Sequence, residues 1–255
     1  MSYLSNLPFY LLSLPIVLLS LSVHETAHGF VAYKLGDPTA KNMGRLTLNP
    51  LKHLDPLGAI CMLLFRFGWA KPVPIYSRNF KKPRRDMALS AAAGPVSNIL
   101  LAFIFAALLR LEIGLSLHFF EEDFSRVLIG ATSSVSTGFN MMCALSYMLY
   151  MGVVMNIGLA IFNLIPIPPF DGSRLMYVFL PPKWYFGLMK YERYIMLGIL
   201  ALMLFTPIVS TGVSSASNWL SNLIMKTFGF YSYSNESSLA FNIMINNLFS
   251  ALSRA

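Results

Sequence analysis

His24 and His28, in the stretch Ser22-Val23-His24-Glu25-Thr26-Ala27-His28, have the spacing in this chain that most directly specifies chemistry. On a helix, residues four apart lie one turn from each other, so both imidazoles leave the same face. That places two nitrogen ligands where a single zinc ion can take both, with Glu25 beside them as a candidate general base. A hydrolytic zinc site keeps three protein ligands and one open position for water, so a third ligand must come from elsewhere. The choices are few, because the chain has just 11 acidic residues. Glu25 is reserved as the base, and Glu121, Glu122 and Asp123 follow an apolar segment that carries them to the wrong side of a membrane. Asp171, in the turn Pro168-Pro169-Phe170-Asp171-Gly172, is the best remaining candidate, with His53 and Asp55 as its competitors.

The setting of this motif is apolar. No residue from Leu7 to Leu21 is charged, so the polar cluster closes a run that reads as lipid-facing. Over its 255 residues the chain is 56% hydrophobic and 12% charged, with a mean hydropathy of +0.60. Soluble domains carry about 25% charged residues, so the balance points to a polytopic integral membrane protein. Ionisable groups inside membrane helices cost several kcal/mol and mark functional sites. The N-terminal run is not read as a cleaved signal peptide: it lacks a basic n-region, and cleavage would discard the metal motif. The net charge of +8 does not indicate nucleic acid, since the basic residues cluster in loops between apolar segments, where anionic lipid headgroups lie. Cys61 and Cys143 are isolated in apolar surroundings and read as small buried hydrophobes rather than a disulfide framework.

The elements that must position the motif follow from length. A membrane helix needs about 20 mostly apolar residues. The first span runs from Pro8 to about Tyr33, and Lys34-Leu35-Gly36-Asp37-Pro38 supplies a basic end, a glycine cap and a proline stop. Between Thr39 and Asp86 the character changes. Arg45–Pro50 reads as a short strand entering a turn, Leu57–Ala70 as a re-entrant or interfacial stretch too short to cross, and Gly68–Ile75, with prolines at 72 and 74, as an extended edge segment. The second span is Met87 to about Leu111, with Ala93-Gly94-Pro95-Val96-Ser97-Asn98 inside it; the third runs from Gly138 to about Ile165. A fourth is expected over Tyr191–Val213, followed by amphipathic helical patterns at 219–228 and 239–252.

Basic residues crowd 34–86 and recur at Arg174, Lys183, Lys190 and Arg193, whereas the loop after the second span is acidic. The positive-inside rule then places 34–86 and 172–191 in the cytoplasm and the N-terminus outside. His24 and His28 thereby lie near the cytoplasmic end of the first span, and Asp171 just past that of the third. The expected architecture is an all-α polytopic membrane protein. A three-helix catalytic core with a membrane-associated β or re-entrant segment at 39–75 fills residues 1–180, and 181–255 add a C-terminal span and amphipathic helices.

These pieces resemble the site-2 proteases, the intramembrane zinc metalloprotease family. The resemblance covers most of residues 15–180 through HETAH, GRLTLNPLKHLDPLG, GWAKPVPI, AGPVSN and NLIPIPPFDG. It implies that His24, His28 and Asp171 hold one catalytic Zn2+ and that Glu25 is the catalytic acid/base. It further implies that 39–75 lies near the substrate, a transmembrane protein or peptide in the bilayer of a bacterial-type plasma membrane. Many members insert a PDZ domain between the second and third core spans or append a CBS domain. Here that loop is too short for a PDZ domain and no appended domain is visible, which makes this a compact form.

In that reading a substrate helix must be locally unwound before attack, because its carbonyls are otherwise hydrogen-bonded, and an edge such as Trp69–Ile75 could pair with the unwound strand. Asn163, Asn98 and His53 are secondary candidates for holding substrate or supporting the transition state. The competing readings are a metal transporter and an inactive protease-like scaffold. The chain shows none of the repeats expected of the former, and its motif residues, all intact, argue against the latter.

Overall fold

In lipid, backbone N–H and C=O groups must pair within their own segment, and a continuous apolar sequence does this as helix. The computed structural model describes residues 7–56, 58, 70–128, 135–206, 208–230 and 241–244. Three of its helices are long and apolar enough to cross a membrane: α1 (Leu7–Lys34), α3 (Pro83–Phe119) and α5 (Thr137–Asn163). Between and after them come α2 (Thr39–Asn42), α4 (Glu121–Leu128), α6 (Asp171–Leu175), α7 (Pro182–Lys190), α8 (Glu192–Phe205) and α9 (Ile208–Thr227). Among the described residues no strand forms, and the one β pairing is an isolated antiparallel bridge between Leu54 and Ala70. This is an all-α polytopic membrane protein.

α1 continues through Pro15 and ends on its glycine. Gly36 takes φ +112°, the Gly36 N–H donates to Tyr33 O and the Asp37 N–H to Ala32 O, which closes the last turn in the manner of a Schellman cap. At 37 residues α3 is longer than the hydropathy of 87–111 suggests, about 55 Å at 1.5 Å per residue. Hydropathy marks only the lipid-buried part of a helix. Pro83 opens the helix, and the Asp86 carboxylate folds back to accept the Lys82 N–H at 3.0 Å.

Two expectations are corrected. Arg45–Pro50 is not a strand but a bend leading into a short 3-10 turn at Pro50–Lys52. Its groups bind side chains instead of a ladder: Thr47 O accepts from the Thr26 hydroxyl at 2.7 Å, and the Arg45 guanidinium donates to Lys71 O at 2.6 Å. The single span expected over 191–213 is two helices. α8 ends at Phe205, and Thr206 is extended at φ −139°, ψ 148° because it precedes Pro207, whose ring disfavours helix in the residue before it. Apart from Gly58 and Ala70, the re-entrant stretch Leu57–Ala70 lies outside the described residues, as do all but 241–244 of the C-terminal pattern 239–252.

The chain divides into two compact units, 1–17 with 101–156 and 218–255, and 18–100 with 157–217. The second holds every residue of the site described below. In it, the turns of 34–56 and 70–80 are pinned by buried polar side chains. Asp37, fully buried, accepts from the Thr39 and Tyr76 backbone N–H groups, the Thr39 hydroxyl and the Asn79 amide. In the first unit the notable polar group is Glu112 of α3, which is buried and accepts hydrogen bonds from the hydroxyls of Ser116, one turn on, and Ser146 of α5. Glu112→Leu leaves both hydroxyls without that acceptor and is expected to lower stability by about 1–3 kcal/mol, whereas Glu112→Gln should lose less. Thermal unfolding of the detergent-solubilised protein would check that order.

Candidate active site

α1 carries two neighbouring stripes at helical spacing, His24 with His28 and Glu25 with Gly29. The first faces α3. The His28 Nδ1 lies 2.7 Å from Ser90 O, and a carbonyl can only accept, so Nδ1 carries the proton and Nε2 presents its lone pair. One turn further along α3, Gly94 makes room for both rings. A Cβ there would stand 2.3 Å from His28 Nε2 and 2.6 Å from His24 Cε1. Only a residue without a side chain fits.

Asp171 arrives from the turn that follows α5, which ends at Asn163. The turn contains a cis Pro168–Pro169 peptide, and Phe170 packs edge-on against Phe162 with ring centroids 4.4 Å apart. Gly172 lets the turn close on itself, since a Cβ there would lie 2.4 Å from the carbonyl oxygens of both Leu164 and Ile165. With Asp171 as the first residue of α6, its Oδ2 stands 3.1 Å from His24 Nε2 and 3.0 Å from His28 Nε2, and the two Nε2 atoms are 3.0 Å apart.

Three ligand atoms therefore converge on one point from residues up to 147 positions apart. Tetrahedral bonds of about 2.0 Å to zinc would set ligand atoms about 3.3 Å apart, so the set fits the ion after shifts of a few tenths of an ångström. Both histidines are buried, and among the described residues these three form the one His/Cys/Asp/Glu group able to hold a metal. Two imidazoles and one carboxylate, next to a glutamate on the same helix, make up the donor set of a zinc hydrolase.

Comparison with known proteins agrees. The chain belongs to peptidase family M50, the site-2 proteases, which it matches over residues 13–206. It is 39% identical over 225 residues to a Bacillus subtilis (strain 168) protein named "Putative zinc metalloprotease YwhC", covering 88% of this chain and 93% of that one. To a Mycolicibacterium smegmatis protein named "Putative zinc metalloprotease Rip2" it is 26% identical over 239 residues, 92% of this chain and 78% of that one. No solved structure matches. The protein is an integral membrane metalloprotease and its metal is zinc.

The remaining candidates take different places. His53, buried, has its Nε2 2.7 Å from Thr47 O and 3.5 Å from the Thr26 hydroxyl, so it braces the 47–53 turn against α1 and is not in the triad. Asp55 accepts the Gly58 N–H at 2.9 Å. The Asn163 amide donates to Leu159 O, one turn back in α5. Asn98 is fully buried one turn beyond Gly94 on α3, and neither of its side-chain polar atoms has a partner among the described residues. Sequence reading missed Ser90 because it acts through its carbonyl, which every residue type has. The signal that could have found it is its place one turn before Gly94.

Proposed function

We propose that this chain is a zinc-dependent intramembrane endopeptidase that hydrolyses locally unwound transmembrane segments. The observation that carries the reading is the convergence of His24, His28 and Asp171, two of them buried on a helix long enough to cross the bilayer. Bound zinc would supply the Lewis acid that makes water nucleophilic near neutral pH. Glu25 takes the proton of the attacking water and delivers it to the leaving amine. Ser90 O fixes the tautomer and tilt of His28 throughout.

The bilayer sets the substrate requirement. A transmembrane helix hides its carbonyls, so it must unwind at the cut, and its freed backbone groups then need partners. Asn98, whose donor and acceptor have no partner among the described residues, is assigned that support, with Asn163 as a second contributor and His53 as a brace. The edge Trp69–Ile75 is the expected platform for the unwound strand. Its Lys71 and Val73 N–H groups already donate to His53 O and Glu25, and the Tyr76 N–H just beyond it donates to Asp37. Loop charges support a site near the cytoplasmic face with the N-terminus outside, and the bacterial relatives support a bacterial-type plasma membrane.

The test is cleavage of a transmembrane peptide by purified protein carrying Glu25→Gln. Loss of about 10²–10⁴-fold in rate with zinc content unchanged is expected. Metal flux that survives the substitution, with no cleavage by the wild type, would move the protein to the transporter class.

A further inference from the structure

We infer that the backbone N–H of Val73 is the positioning group for Glu25, the role of the Lys71-Pro72-Val73-Pro74 stretch. The inference rests on reading Glu25 as the general base. The Val73 N–H donates to Glu25 Oε2 at 2.9 Å, which leaves Oε1 as the atom to take the proton. The second stripe of α1 makes this approach possible. Gly29 lies one turn beyond Glu25, and a Cβ there would come within 3.0 Å of Val73 Cγ1 and 2.8 Å of Leu46 Cδ2. The buried Val73 side chain thus fills the space that glycine leaves, while its amide reaches the carboxylate.

The prolines make the contact specific. Neither Pro72 nor Pro74 has an N–H, so a slip of one residue in either direction would bring Glu25 a nitrogen that cannot donate. Register is held on both sides. The Lys71 N–H donates to His53 O at 2.8 Å and the Arg45 guanidinium caps Lys71 O, while the Tyr76 N–H donates to Asp37 Oδ2 at 2.7 Å. Asp37 and Arg45, both buried, and the peptide of His53 therefore serve one end: they deliver a single amide to the base.

The amide can be removed alone by replacing the Val73 N–H with oxygen, using nonsense suppression with the α-hydroxy acid of valine. In the full chain loaded with zinc, kcat should fall about 10- to 100-fold with KM and zinc content unchanged, the scale expected when a reacting group loses its orientation. A cycle on unfolding temperature gives a readout independent of activity. The ester should lower the midpoint in the wild type and leave it unchanged in Glu25→Ala. An ester with wild-type kcat, or equal midpoint shifts in both backgrounds, would overturn the inference. Neither of these would touch the assignment of Glu25 as base, which falls only if Glu25→Gln still cleaves.

Discussion

Gly94→Ala is expected to weaken zinc binding by about 100-fold or more and to take cleavage with it. The added methyl would sit 2.3 Å from His28 Nε2, the ligand atom itself, and 2.5 Å from His28 Cε1. Real Cβ atoms do not approach so closely, so a ring must turn away. His28 cannot do so without losing its bond to Ser90 O, and a turned His24 no longer aims its lone pair at the common point. The substitution does not harm the helix: alanine is favoured over glycine there by about 1 kcal/mol. Fold and metal binding should therefore separate. Zinc analysis after dialysis, beside an unfolding curve of the metal-free protein, would show metal lost and the apo-protein midpoint kept. Wild-type zinc affinity in Gly94→Ala would refute the geometry.

Asp171→Asn is expected to have an effect of the same order by a different route. The carboxylate is the one anionic member of the triad, and its Oδ2 lies within 3.1 Å of both imidazole nitrogens. An amide is close to isosteric, so the turn built on Gly172 and the Phe170 carbonyl bonds of Ser173 should persist. Its NH2 group, however, donates to the histidine lone pairs that zinc needs, and the charge that favours a dication is gone. Competitive chelator titration should show affinity reduced at least about 100-fold, and cleavage should fall below detection. Retention of stoichiometric zinc would return His53 or Asp55 to consideration as the third ligand.

Much of this arrangement can be read before any coordinates. The three long helices follow from apolar length, because lipid leaves the backbone few alternatives. The end of α1 at Gly36 follows from cap chemistry. Other elements resisted. Arg45–Pro50 has the composition of a strand, but strand formation depends on a neighbour, and here side chains from elsewhere take its backbone groups. The break at Thr206 is written in Pro207, yet hydropathy averaged over 191–213 passes across it. The pinning of 34–56 to 70–80 by Asp37 and Arg45 joins residues 26 to 42 positions apart, and no local pattern announces such pairs.

By itself the amino-acid sequence determined that this protein crosses a membrane on helices and that His24 and His28 share one helical face beside Glu25. Those are consequences of local spacing and of transfer from water to lipid, which act within a few turns. The tertiary structure alone decided which carboxylate meets the two imidazoles, that Gly94 is their cradle and that a single amide between two prolines reaches Glu25. Such distances are set by how far-separated segments pack, and an angstrom there changes whether a lone pair points at a metal or at a methyl group.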